Sequence, residues 1–152
     1  MFSSIVVGTD GSPSAALAVR QAAELARACG ASVHLVSAFK SVSSINALSA
    51  EAMVAGASSV DARRLSDELG QNAEQVVAQL ADELRATGVK VEVHTAPGDP
   101  AQVLIEVAEG EQADLIIVGN KGMSGSKRFV LGSVPNKLSH HAPCAVLIAA
   151  TG

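Results

Sequence analysis

A glycine-containing segment near the C-terminus has the spacing of a phosphate site. Gly119 and Gly122 are followed, after nine residues, by Gly132 and Ser133, and the segment begins where an apolar, β-branched run ends. This order predicts a strand, a loop and then a helix. Because a helix N-terminus presents unpaired backbone N–H groups and glycines let a backbone approach an anion closely, the pattern favours phosphate binding. A tight turn with no ligand is the alternative interpretation.

Positive side chains in the same loop could add to phosphate binding. Lys121 lies between the first two glycines, and Lys127 and Arg128 follow further along. Hydrogen bonds from cations to phosphate oxygens are strong when they are partly shielded from water. We expect Lys121 to contribute. Solvated surface charge is the alternative for all three residues, and it is the favoured interpretation of Lys127 and Arg128.

A second candidate, Asp10, follows the first apolar run of the chain. Ligands of open parallel sheets bind beyond the carboxyl ends of the strands, where the strand order reverses. If the first and fourth strands are central neighbours, Asp10 faces the glycine loop across one crevice. Its carboxylate could then accept hydrogen bonds from a ribose hydroxyl or a base amino group. A cap on the following helix is the alternative role.

The elements that must position these residues alternate along the chain. Predicted strands cover 5–9, 33–38, 89–95, 115–118 and 145–149, and predicted helices cover 14–28, 64–87, 101–109 and 133–139. Such alternation indicates an α/β fold, with a parallel sheet covered by helices on both faces. The first and fourth strands are the most uniformly apolar and belong at the centre, whereas the alternating third strand suits an edge.

One domain of 152 residues is predicted. Its segment 40–61 is too long for an ordinary connection. We favour a lid-like insert or a partly ordered helix there, with a disordered insert as the alternative.

Composition limits the classes of function. Aromatic residues make up only 2% of the chain and the net charge is −4, which argues against nucleic-acid and anionic-lipid surfaces. The apolar runs are strand-sized and the N-terminus lacks a signal-peptide pattern, so we expect a cytoplasmic protein with no membrane span. Cys29 and Cys144 are expected to be buried, reduced thiols.

The remaining polar residues predict neither a catalytic residue nor a metal ligand. His140 and His141 are adjacent and do not share a helix face, so a role near a helix C-terminus is favoured over metal binding. His34 and His94 lie in separate predicted strands without a visible partner and are interpreted as structural. No Walker motif and no Ser-His-Asp arrangement is present.

Several segments together resemble the universal stress protein family. They are VGTDGS at 7–12, GDP at 98–100, ADLIIVG at 113–119, the glycine loop, and APCAVLI at 142–148. The nucleotide-binding branch of that family is marked by G-x2-G-x9-G-[S/T], which this loop satisfies. The resemblance covers nearly the whole chain.

The resemblance implies a five-stranded parallel sheet in the order 3-2-1-4-5, as in adenine nucleotide alpha hydrolase-like domains. It also implies binding of ATP or cyclic AMP, with Mg²⁺ accompanying ATP. The residues implied at the site are, on the phosphate side, Gly119, Gly122, Gly132, Ser133 and Val134, and, on the adenosine side, Thr9, Asp10, Ala38 and Val118.

Three functions are compatible with the resemblance. The favoured one is a nucleotide-binding sensor or sink, assembled as a homodimer through the last strand, 145–149. A dimeric interaction module that needs no nucleotide is the second. The third is a slow ATPase or autophosphorylating protein that uses Ser124, Ser126 or Ser133.

Overall fold

Five parallel strands form the centre of the computed structural model, which describes residues 1–56, 61–121 and 130–150. The strands are β1 Ser4–Gly8, β2 Ser32–Phe39, β3 Lys90–Pro97, β4 Leu115–Gly119 and β5 Ala145–Ala149. They pair in the order β3-β2-β1-β4-β5. The predicted α/β fold, the strand order and the edge position of β3 are therefore confirmed.

Helices cover both faces of this sheet. They are α1 Pro13–Cys29, α2 Val42–Val54, α3 Ala62–Arg85, α4 Pro100–Gly110 and α5 Ser133–His141. In the part of the chain that the structure describes, no helix is both long and apolar enough to cross a membrane.

Local sequence signals set where the helices next to the strand ends begin. Ser12 caps α1 by accepting a hydrogen bond from the Ala15 N–H at 3.2 Å, and Asp99 caps α4. Pro13 and Pro100 occupy the first helical positions, where the missing N–H costs no hydrogen bond. Both helices therefore begin directly at the carboxyl edge of the sheet.

Alternating residues of each central strand face two separate apolar layers. Val7 packs with α1 and α3, whereas the neighbouring Val6 packs with α4 and α5, and both side chains are fully buried. Because a strand buried on both faces must be apolar at every position, the uniformly apolar β1 and β4 belong inside the sheet.

The segment predicted as a lid or partly ordered helix contains α2. Ile45 is its buried residue, and α2 packs against α3. The Ser66 hydroxyl in α3 donates to the Lys40 carbonyl at 3.2 Å, which fixes the start of the segment. Residues 57–60 lie outside the described part of the chain.

Candidate functional site

A pocket of about 310 Å³ lies beyond the carboxyl ends of β1, β2 and β4. Gly8, Val36 and Val118 line it from the sheet, while Leu104 lines it from α4. The first turn of α5 completes the wall. The connections that follow β1 and β4 diverge at this place. The volume of the pocket lies in the range of small-molecule sites.

The pocket brings together the described residues that the sequence predicts for the site. Its lining includes Thr9, Asp10, Ala38, Val118, Gly119, Lys121, Gly132, Ser133 and Val134. The remaining predicted residue, Gly122, lies outside the described residues, as do Lys127, Arg128, Ser124 and Ser126. Residues far apart in sequence thus meet at one place, as the crevice argument predicts.

Asp10 is exposed at the pocket and forms a local turn. Its Oδ1 accepts a hydrogen bond from the Ser12 N–H at 2.9 Å, and Gly11 takes a φ of 78° between them. Because Ser12 is the cap of α1, the alternative interpretation of Asp10 as that cap is wrong. The neighbouring Thr9 is buried and donates its N–H to the Val36 carbonyl at 2.9 Å.

Gly119 has a packing role that does not involve any ligand. A Cβ at this position would overlap the Ser14 hydroxyl and lie 2.7 Å from the Ser14 carbonyl carbon. The end of β4 can therefore approach the first turn of α1 only because residue 119 is glycine. The Ser14 hydroxyl donates to Asn120 Oδ1 at 3.1 Å and accepts from the Lys121 N–H at 3.3 Å.

Hydrogen bonds also join the two ends of the glycine loop. The Asn120 carbonyl accepts from the Gly132 N–H at 3.0 Å, and the Asn120 N–H donates to the Ala149 carbonyl at 3.0 Å. The Gly132 amide is thus already engaged within the chain. Among the residues that the structure describes, the first turn of α5 also lines this part of the pocket and carries backbone N–H groups.

The N-terminus of α5 presents such donors to the pocket. Gly132 is the cap residue, with φ −60° and ψ 165°, and no side chain among the described residues caps the helix. The amides of Ser133 and Val134 are at positions that have no partner within a helix, and Pro135 has no N–H. Together with the helix dipole, this end favours an anion.

The lining of the pocket is partly polar and partly apolar. Lys121, Asp10 and Ser133 are among its polar residues, and Val36 and Leu104 contribute to an apolar wall. Sequence reasoning missed this wall, although the apolar stripe of α4 indicated that Leu104 faces the sheet. Within the described part of segment 40–61, no residue lines the pocket, so a lid role for this segment stays a prediction.

An ion pair joins α4 to α5 beside the pocket. Lys137 Nζ lies 2.8 Å from Asp99 Oδ1, while Asp99 Oδ2 accepts from the Gln102 N–H at 3.2 Å. The hydrogen bond from Lys137 lowers the pKa of Asp99 below its usual value; burial opposes this, and the Gln102 amide lowers it further. The cap of α4 thus also positions α5.

The histidines in β2 and β3 do have partners, and the expectation that they have none is wrong. His34 Nδ1 lies 3.1 Å from His94 Nε2, and the ring centroids are 5.3 Å apart. The parallel register places both rings on the same face of the sheet. Sequence spacing alone could not show this pairing, because it depends on the register of β2 against β3.

The remaining predicted side chains lie away from the pocket. His140 and His141 are in the last turn of α5, as predicted. Cys29 and Cys144 are free thiols, but both are only half-buried, so the prediction that they are buried is wrong. Burial raises the pKa of the Cys144 thiol, and the charge of Asp114 raises it further.

The fold and the pocket define an open α/β domain with a pocket at its switch point. The family model described as "Universal stress protein family" matches residues 1–150. Universal stress protein MJ0531 of Methanocaldococcus jannaschii is 34% identical over 148 residues, which cover 97% of this chain and 82% of that protein. The chain belongs to the universal stress protein family.

Solved structures agree with this assignment. The structure of hypothetical protein MJ0577 superimposes with a TM-score of 0.82 at 24% identity, covering 100% of this chain and 98% of that one. A universal stress protein crystallised in complex with cAMP gives a TM-score of 0.66 at 27% identity, covering 97% and 96%. The first of these supports the fold alone.

Proposed function

We propose that this universal stress protein binds an adenine nucleotide, ATP or cyclic AMP, in the pocket and acts as a regulatory sensor or sink. The observation that supports this most is the N-terminus of α5, which no side chain among the described residues caps and which lines one pocket together with Lys121, Asp10 and an apolar wall. A relative solved with cAMP supports the ligand class.

The pocket chemistry suggests a direction for the nucleotide. The purine would pack against the apolar side between Ala38 and Val118. The ribose hydroxyls would donate to the Asp10 carboxylate. The phosphates would accept from the first amides of α5 and from Lys121, because a helix N-terminus and a cation both favour negative charge.

The described residues that line the pocket do not favour rapid hydrolysis of ATP. Asp10 is the one carboxylate among the described residues that line the pocket, and no histidine lines it there. General-base catalysis needs a group within hydrogen-bond reach of the attacking water, and Asp10 is assigned to the ribose. Mg²⁺ would enter with ATP, bound to phosphate oxygens.

The proposal includes a homodimer in the cytoplasm. The strand β5 ends the sheet, and its Val146, Leu147 and Ile148 are only half-buried in the single chain. An apolar edge strand is a pairing hazard unless something covers it. The same strand of a second subunit would cover it across a two-fold axis.

The nucleotide-independent interaction module remains the alternative, because one observation favours it. The contact with Ser14 explains Gly119 without any phosphate. A purely structural loop therefore accounts for one glycine of the motif, although it does not account for a helix start that no described side chain caps.

Calorimetric titration of nucleotide-free protein tests the proposal. We expect binding of Mg-ATP or cyclic AMP with one site per chain, and much weaker binding of GTP, whose base presents different groups to the Ala38 side. A ligand at about 100 times its Kd should also stabilise the fold by about 2.7 kcal/mol. Absence of both binding heat and a melting shift for ATP and cyclic AMP would overturn the proposal in favour of the interaction module.

A separate assay distinguishes the slow-enzyme alternative. Incubation with γ-labelled ATP should leave the protein unlabelled and release little phosphate. Label retained by wild type but absent from Ser133→Ala would instead assign phosphoryl transfer to the pocket.

A further inference from the structure

Four side chains with metal-binding chemistry meet on the sheet face that α4 covers, away from the pocket lining. They are His34 from β2, Glu92 and His94 from β3, and Glu111, which follows α4. One ligand atom from each lies within 4.8 Å of the others. His34 is buried, His94 is half-buried and the two glutamates are exposed.

The topology explains why these residues converge. In the parallel register, His34 lies opposite Glu92, and His94 lies two residues further along the same face of β3. The last turn of α4 then places Glu111 over this face, with its N–H bonded to the Val107 carbonyl at 2.9 Å. Backbone geometry thus brings these residues together from separate parts of the chain.

The distances suit one shared ion. Metal–nitrogen and metal–oxygen bonds of Zn²⁺ are about 2.0–2.2 Å, so neighbouring donor atoms around the ion lie about 3 Å apart. His34 Nδ1 and His94 Nε2 are 3.1 Å apart, and His34 Nδ1 is 3.8 Å from Glu92 Oε2. The carboxylates belong to exposed, flexible side chains that can shorten their distances by rotation.

A hydrogen bond between the two imidazoles would also explain their separation. It does not explain why carboxylate oxygens of Glu92 and Glu111 also lie within 4.8 Å of ligand atoms of both histidines.

We propose that His34, Glu92, His94 and Glu111 form a binding site for a divalent transition-metal ion of the Zn²⁺ class. Two imidazole nitrogens with two carboxylates suit Zn²⁺, Ni²⁺ or Cu²⁺, whereas Mg²⁺ and Ca²⁺ prefer oxygen ligands alone. A bound ion would join the end of α4 to β2 and β3. This site is independent of the proposed nucleotide site.

The test uses the full-length, chelator-treated protein without nucleotide. Zn²⁺ affinity is measured by competition with a chromophoric chelator, and Co²⁺ is used as a spectroscopic probe. We expect one tight equivalent per chain and visible Co²⁺ absorption bands of four-coordinate type. The variants His94→Gln and Glu111→Gln should each weaken Zn²⁺ binding by at least about tenfold, while Mg²⁺ should not compete.

Two control variants separate this site from other zinc ligands. Replacing His140 and His141 by Ala, or Cys29 and Cys144 by Ser, should leave Zn²⁺ affinity unchanged. The proposal is overturned if wild type binds no Zn²⁺, if His94→Gln and Glu111→Gln bind it as wild type does, or if a control variant abolishes binding. Glu111 is exposed and directly follows α4, so Glu111→Gln should fold as wild type does. This variant therefore tests the metal site even if His94→Gln folds poorly.

Discussion

At the scale of single residues, Asp10 has an observed contact with Ser12 and a proposed contact with the ribose, and one substitution can separate the two. Its Oδ1 accepts from the Ser12 N–H, and the side-chain amide oxygen introduced by Asp10→Asn can accept the same bond. The fold should therefore keep its melting temperature. Loss of the ionised acceptor for the ribose should weaken nucleotide binding by about tenfold or more. Calorimetry with ATP checks this, and an unchanged affinity would remove Asp10 from the site.

Lys121 should act on the phosphates rather than on the purine. Its N–H donates to the Ser14 hydroxyl, and Lys121→Met leaves this backbone contact in place. We expect ATP affinity to fall by about tenfold and AMP affinity to fall less, because AMP carries fewer phosphate charges. Lys90→Met, on the exposed start of β3, is the matched control. Equal losses for ATP and AMP would contradict the assignment.

At the scale of elements, the contact between β4 and α1 should depend on Gly119. A Cβ there has no room beside Ser14, so Gly119→Ala should lower the free energy of unfolding by about 1–3 kcal/mol. Gly110→Ala is the control, since a Cβ on Gly110 meets nothing within 4 Å. Urea unfolding measures both variants. Equal stability of the two would show that β4 and α1 are not tightly packed at this point.

The bond between Asp99 and Lys137 should make the α4–α5 contact sensitive to pH. Because the folded pKa of Asp99 is lowered, its contribution is present above the unfolded pKa of about 3.9 and is lost as pH falls through the folded pKa. Both side chains are about half exposed, so Lys137→Met should cost less than about 1 kcal/mol at pH 7. Urea unfolding should show this difference disappearing in strong acid; a difference independent of pH would contradict it.

Local sequence signals predicted most of the helices and strands. They could not predict contacts between residues that are distant in sequence, because such contacts depend on the packing of the elements. Apolar β-branched runs were sufficient to predict β1 and β4. A capping residue followed by proline was sufficient to predict the starts of α1 and α4. The Ser14–Gly119 contact and the His34–His94 pair could not be predicted, because each joins residues whose proximity depends on how elements pack. The candidate pocket was accessible from sequence because strand ends and helix starts determine it.

At the scale of the whole molecule, β5 should determine the oligomeric state. Val146 is half-buried on β5, the proposed dimer edge, so Val146→Lys should yield monomer or aggregate. Val93→Lys, on the opposite edge strand β3 and 37% exposed, is the matched control and should stay dimeric. Light scattering after size-exclusion chromatography measures both variants. A dimer that survives Val146→Lys would remove β5 from the interface.

The most direct measurement compares ATP binding by Gly132→Asp and Gly132→Ser. Residue 132 has the φ and ψ of a helix cap, and the nearest atom to an added Cβ is the Asn120 carbonyl oxygen at 3.4 Å. Either side chain should cap α5 and keep or slightly raise stability. The Asp carboxylate would also repel phosphate at the helix N-terminus.

If the nucleotide phosphates bind at α5, Gly132→Asp should bind ATP at least about tenfold more weakly than Gly132→Ser, because either side chain would occupy the Val134 N–H and only Asp adds a negative charge. Melting temperatures at or above that of wild type would show that the loss is not a folding defect. Equal ATP affinity of the two variants would contradict a phosphate site at this helix.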